Sequence, residues 1–191
     1  MLDTETILLI GDSPYLETIQ DKLFYLVDKY PSMGINNIVK KYKVQRHVFQ
    51  DMPFCTLTNA YPEITTIAPK IYGDLIRKKK KELYESFTFN FKINTPEDIC
   101  TGEKLAWCGF THDYAISYCI MKEFKNIILI GAADFTKGKH FMTEDDFNPS
   151  EKLALQSKRF IEEICSKRTN IYTCNENSWL EIPRININNL L

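Results

Sequence analysis

The chain has 191 residues, with 24 Lys and Arg against 25 Asp and Glu, for a formal net charge of −1. Charge this close to balance excludes a global field that would gather nucleic acid or an anionic membrane, and 44% apolar with 26% charged residues describe a globular chain. No apolar run approaches the ~20 residues a membrane-spanning helix needs, and the acidic start Met1-Leu2-Asp3-Thr4-Glu5 is unlike a signal peptide, so a cytoplasmic location is expected.

The first element is Ile7-Leu8-Leu9-Ile10, an unbroken apolar run closed by Gly11-Asp12-Ser13-Pro14. Such a run predicts a strand buried on both faces, and the Gly-to-Pro turn predicts a helix immediately after it. Leu16, Ile19, Leu23, Leu26 and Val27 then keep helical spacing. A strand–turn–helix unit aims backbone N–H groups and the positive helix end above the strand, where a phosphate is favoured. An ordinary connection without a ligand has the same pattern.

Tyr30-Pro31 breaks the helix, and Met33-Gly34-Ile35 predicts a second strand ending at Asn36. Residues 46–50 predict a third, closed by Asp51. Polar residues at the carboxyl ends of successive parallel strands share one crevice, so Asn36 and Asp51 are ligand candidates by position. Both are equally suited to capping a turn. Thr65-Thr66-Ile67-Ala68 reads as a fourth strand, followed by a helix from Pro69 that ends in the basic run 77–81. That run suits either a solvated helix end or a phosphate backbone. Phe87-Thr88-Phe89-Asn90-Phe91 alternates as a further strand.

Residues 101–122 read as one helix with a break at Gly109, which leaves a start near Phe110 as the alternative. In that alternative Cys108 and Gly109 form a second backbone anion site. Asn126-Ile127-Ile128-Leu129-Ile130-Gly131 is the strongest strand in the sequence and leads to Asp134. A Gly-Lys-His element (138–140) and the acids Glu144, Asp145 and Asp146 follow, then a helix over 149–167 and a last strand over 169–174. The six cysteines are scattered without a C-x-x-C, which suits buried thiols better than a disulfide framework or structural zinc. Strand and helix alternate throughout, so a mostly parallel sheet covered on both faces is expected.

From Ile7 to about Ile185 this ordered set resembles a superfamily with two branches. One holds the small bacterial sialyltransferases with a Rossmann-like nucleotide-binding domain. The other includes the archaeal 6-hydroxymethylpterin pyrophosphokinase. Gly11-Asp12-Ser13-Pro14-Tyr15 stands where the sialyltransferases carry Gly-Asn-Gly-Pro-Ser, and Asn36 and Asp51 match their polar residues after the second and third strands. Trp107-Cys108-Gly109 matches a Thr-Ser-Gly element in its glycine only. Gly131-Ala132-Ala133-Asp134-Phe135 is close to a Gly-x-Asp-Phe strand end with one residue added. Gly138-Lys139-His140 resembles the Gly-Lys-Thr-His-like element of the pyrophosphokinase branch, and Cys174-Asn175-Glu176-Asn177-Ser178 resembles a closing Cys-Pro-Asn-Ser. The sialyltransferase lid is longer and holds the basic histidine. Here the corresponding segment is reduced to about 136–148, and its one histidine is His140.

The resemblance implies a single Rossmann-like α/β domain over residues 1–191 that binds a nucleotide or nucleotide-sugar. It implies transfer of a sugar to an acceptor hydroxyl on a glycan, a small molecule or modified DNA. Gly11, Asp12 and Ser13 would lie against phosphates or ribose, Asn36 and Asp51 on the nucleoside, and Asp134 beside them. Cys108 and Gly109 would face the leaving phosphate, with His140 as general base or acid. No metal and no resident cofactor are implied. The pyrophosphokinase branch is the alternative, with Asp134 and Asp145 or Asp146 holding Mg²⁺ against ATP. A non-catalytic nucleotide sensor is another. Gly11-Asp12-Ser13 also opens the Gly-Asp-Ser hydrolases, but these need an Asp-x-x-His near the C-terminus, and none occurs in this chain.

Overall fold

The structure, a computed structural model, describes residues 5–76, 81–134, 138–139, 146–147 and 150–191. In chain order its elements are β1 (Thr6–Ile10), α1 (Gln20–Lys29), β2 (Ser32–Ile35), β3 (Arg46–Val48), α2 (Cys55–Ala60), β4 (Thr65–Pro69) and β5 (Tyr84–Asn90). There follow β6 (Cys100–Thr101), β7 (Lys104–Ala106), α3 (Thr111–Met121) and β8 (Asn126–Ile130). The chain ends with β9 (Gly138–Lys139), β10 (Asp146–Phe147), α4 (Glu151–Arg159) and β11 (Asn170–Thr173).

Nine strands form one sheet in the order β11-β8-β1-β2-β3-β4-β5-β7-β6, parallel throughout except for the edge pair β6–β7. The fold is α/β, as the alternation of elements predicts. Side chains alternate across the strands, so Leu8, Ile10, Ile128 and Ile130 pack with Leu23, Leu26 and Val27 of α1 on one face. Ile7, Leu9, Ile127 and Leu129 pack on the other face with Tyr114 and Tyr118 of α3 and Phe160, Ile161 and Ile164 beyond α4. All five residues of β1 are buried, which is why its sequence reads as a continuous apolar run.

Four elements differ from the sequence expectation. The helix expected immediately after Gly11–Pro14 is first a 3₁₀ run, Pro14–Thr18, and α1 begins only at Gln20. Residues 100–106 are a hairpin, not the first turns of a helix: Gly102 takes φ +60 at the turn, and β6 returns antiparallel on β7. The helix then begins at Thr111, as the alternative start near Phe110 anticipates. The helix expected from Pro69 is a 3₁₀ run, Lys70–Leu75, with Ile71 and Leu75 exposed, so little apolar burial supports a longer helix there. The long final helix is interrupted: α4 widens into a π turn at Phe160–Ile164 and tightens to 3₁₀ at Cys165–Lys167. All six cysteines are free thiols, five of them buried. Strands β9 and β10 pair antiparallel with each other, apart from the main sheet.

β1 and β8 run in register from Thr6↔Asn126 to Ile10↔Ile130, and just beyond their ends Gly11 lies against the backbone of Gly131 and Ala132. A Cβ on Gly11 would stand 2.2 Å from the Gly131 carbonyl oxygen, so no other residue fits there. Gly11→Ala is expected to cost at least ~2 kcal/mol through forced separation of the two strands. Gly73→Ala, with Tyr84 Oη the nearest atom at 3.9 Å, should stay within ~0.5 kcal/mol. Urea denaturation of both variants measures the contrast.

Candidate functional site

The chain leaves β1 toward β2 and builds the sheet outward on that side, then returns to place β8 on the other edge of β1. Connections beyond β1 and β8 therefore run in opposite directions, and a crevice opens at the carboxyl ends of the strands. A cleft of about 110 Å³ lies there. Its walls are residues 11–14 after β1, 35–36 at the end of β2, 110–112 at the start of α3 and 131–134 after β8.

Asp134 organises this cleft. Its Oδ2 accepts a hydrogen bond from Ser13 Oγ at 2.7 Å and another from Asn175 Nδ2 beyond β11. Ser13 Oγ in turn accepts from the Tyr15 N–H at 3.1 Å, and Tyr15 Oη donates to the Cys174 carbonyl at 2.9 Å. The exits of β1, β8 and β11 are thus joined through side chains. Asn36 and Ala133 hold φ values of 51 and 53, a left-handed backbone that non-glycine residues adopt rarely and that clusters at binding sites. The Asn36 carbonyl accepts from His47 Nε2 at 2.9 Å. Its side-chain Oδ1 is buried and has no hydrogen-bond partner among the described residues.

The cleft gathers Gly11, Asp12, Ser13, Asn36 and Asp134 from the residues expected on sequence grounds. Three others lie elsewhere. Asp51 is exposed and starts a short 3₁₀ turn, Met52–Phe54, outside the cleft. Cys108 lines a different cavity, and the backbone N–H that caps this helix start is that of Phe110, donated to Asp113 Oδ2. Gly109 lines neither cavity and packs beneath Leu153. His140 and Asp145 are outside the described residues, as are 77–80 of the basic run. Asp146 lies in β10, its backbone opposite Lys139. The N–H groups of Gly11 and Ser13 are also committed, to Ile130 O at 3.0 Å and Gly131 O at 3.2 Å. The turn after β1 therefore does not offer those two donors to a phosphate. Two carboxylates and no Lys or Arg line the described walls, so the cleft favours ligand groups that donate, such as hydroxyls. Among the described residues no group of three or more His, Cys, Asp or Glu could hold a metal ion, and no helix is long and apolar enough to cross a membrane.

No protein-family model matches the chain, and no curated protein sequence matches it significantly. A similar solved structure is the MAf glycosyltransferase from Magnetospirillum magneticum AMB-1, with a TM-score of 0.64 at 11% identity. The fold of this chain resembles that of part of the glycosyltransferase. The match covers 98% of this chain and 34% of that one, so this chain spans about a third of the glycosyltransferase's length. At that identity the likeness is one of fold alone.

The wall formed by α3 carries a polar group that the sequence does not announce. His112 lines the cleft, with Phe110 stacked on it at 5.0 Å between ring centroids. Ser157 Oγ donates to Asp113 Oδ1, so its lone pair accepts from His112 Nε2–H at 3.0 Å. Asp113 Oδ2 accepts the Phe110 N–H at 3.1 Å, capping the helix start. Burial lowers His112 to about 3, and burial raises Asp113 to about 7 against the hydrogen bonds that favour its carboxylate.

These shifts oppose each other. His112 falls from 6.5, so its contribution is complete above that pH and is lost as pH falls toward 3. Asp113 rises from 3.8, so its contribution is complete below that pH and is lost as pH rises toward 7. Relative to the unmodified chain, His112→Gln should lose stability as pH rises from about 4.5 to about 6.5, and Asp113→Asn should gain it. Urea midpoints at the two pH values give the sign for each variant.

Proposed function

We propose that the chain is a nucleotide-sugar-binding glycosyltransferase domain of the sialyltransferase-like type, with its donor seated in the cleft between β1 and β8. The observation that supports this reading best is the Asp12, Ser13 and Asp134 group at the switch point of a glycosyltransferase-like fold. Ribose hydroxyls donate to Asp12 and Asp134, and the orphaned Oδ1 of Asn36 accepts from the nucleoside. The phosphates extend away from these acids. The acceptor hydroxyl attacks the anomeric carbon and the sugar–phosphate bond breaks. His140 either takes the hydroxyl proton or gives one to the departing phosphate. The donor is the substrate, and neither a metal nor a resident cofactor is required. The acceptor is a glycan, a small molecule or modified DNA.

A thermal-shift series with CMP, CDP, UDP, GDP, ADP and ATP, each with and without Mg²⁺, tests the reading. A ligand at ~100 times its Kd adds about 2.7 kcal/mol to stability. CMP is expected to stabilise without metal, and Asp134→Asn to abolish that shift. Stabilisation by UDP or GDP keeps a transferase and changes the donor. Stabilisation by ATP only with Mg²⁺ replaces this reading with the pyrophosphokinase one, and the absence of any shift removes the nucleotide site. His140→Ala should keep binding and lose turnover by ~10²-fold or more. Binding by the unmodified chain without any turnover leaves a nucleotide sensor.

A further inference from the structure

A second, larger cavity of about 440 Å³ lies between the segment after β5 and the far end of α4. It shares the carboxyl edge of the sheet with the first cleft: Cys108 lines one, Phe110 the other, and only Gly109 separates them. Its lining includes Lys92, Arg159, Asn94 and Gln156 and, among the described residues, contains no Asp or Glu. Arg159 meets Glu163 through Nε at 3.1 Å, in a surface pair exposed on both sides, where water screens the interaction. The local charge is therefore opposite to that of the first cleft.

Two further features mark this cavity as built. Phe91 is 63% exposed at its mouth and is backed by Trp107, whose ring centroid is 5.3 Å away, and by Phe89 at 5.9 Å. The opposite wall, from Arg159 through Phe160 to Ile164, is the π turn, a distortion that recurs at functional sites. An aromatic face beside amides and cations matches a sugar ring that carries an anionic group.

We propose that this cavity binds an anionic saccharide, held by Lys92 and Arg159 at its carboxylate or phosphate and by Phe91 at its ring face. Its role as the acceptor site rests on the glycosyltransferase reading above. Its affinity for such a sugar does not. The acceptor then lies one residue away from the donor cleft, on the same edge of the sheet.

Trp179→Phe leaves Trp107 as the sole tryptophan of the chain's two, a reporter in contact with Phe91. In that background a glucuronate-terminated disaccharide and glucose 6-phosphate are titrated against lactose and inorganic phosphate. A saturable change in Trp107 emission is expected with one or both charged sugars, and which one responds separates carboxylate from phosphate recognition. Lys92→Ala with Arg159→Ala should weaken that binding at least ~10-fold, and Phe91→Ala should weaken it independently. Lactose binding as well as the charged sugars, inorganic phosphate competing equally, or an unchanged affinity in the variants would overturn the proposal. So would the absence of any emission change. The same Lys92/Arg159 variant is also tested for its nucleotide shift. A retained shift with lost saccharide binding assigns the loss to this cavity. Saccharide binding in a chain that takes no nucleotide keeps the cavity and removes the transferase reading.

Discussion

The contact between Gly11 and the Gly131 carbonyl is the constraint from which the rest of the molecule follows. β1 and β8 are parallel and in register, and at their ends the two backbones come closer than any side chain permits. That approach lets the Gly11 N–H reach Ile130 O and the Ser13 N–H reach Gly131 O, so the ladder continues past the strands into the turn. It also brings Asp134 within hydrogen-bond reach of Ser13, across 121 positions of sequence. A carboxylate that accepts from a hydroxyl and an amide in a buried setting is held more firmly than a neutral acceptor would be. The chemistry of the cleft and the closure of the sheet are therefore one arrangement.

The carboxyl edge of the sheet divides by charge. The cleft at β1 and β8 presents Asp12 and Asp134, and the cavity beyond β5 presents Lys92 and Arg159. In the proposed reading a nucleotide meets the first through its hydroxyls and base, with its phosphates directed away from the acids. This ordering comes from the side chains present, not from the fold, which many chemistries share.

The sheet was legible because its central strands are buried on both faces and write themselves as apolar runs. Ile7-Leu8-Leu9-Ile10 and Ile127-Ile128-Leu129-Ile130 leave no polar position to confuse the period. Residues 100–106 were not legible, since two and three residues of strand carry no period, and only Gly102 signals the turn. In the cleft, Gly11, Asp12, Ser13, Asn36 and Asp134 follow from the rule that strand ends share a crevice. Asp51 obeys the same rule and still lies outside, because β3 is two strands away from the switch point. Cys108 misled for a different reason. Its position reads as a helix start, yet the helix begins at Thr111, and Cys108 faces the cavity beyond β5. His112 gave no signal at all, because its partner Ser157 lies 45 residues away.

The interrupted helix after β10 connects these observations. Ser157 on α4 anchors His112 and Asp113 at the start of α3, which fixes one wall of the acidic cleft. Two residues later the same helix reaches Arg159 and widens into the π turn, whose Phe160, Ile161 and Ile164 are buried in the core beneath the sheet. A π turn has poorer hydrogen-bond geometry than the α-helix, and burial of these three side chains offsets that cost. One helix thus sets a wall of each cavity, and its break in period allows both. A regular α-helix would rotate the residues after Arg159 by a further ~100° per inserted position, moving Phe160 and Ile164 away from one of their two roles, packing the core or lining the basic cavity.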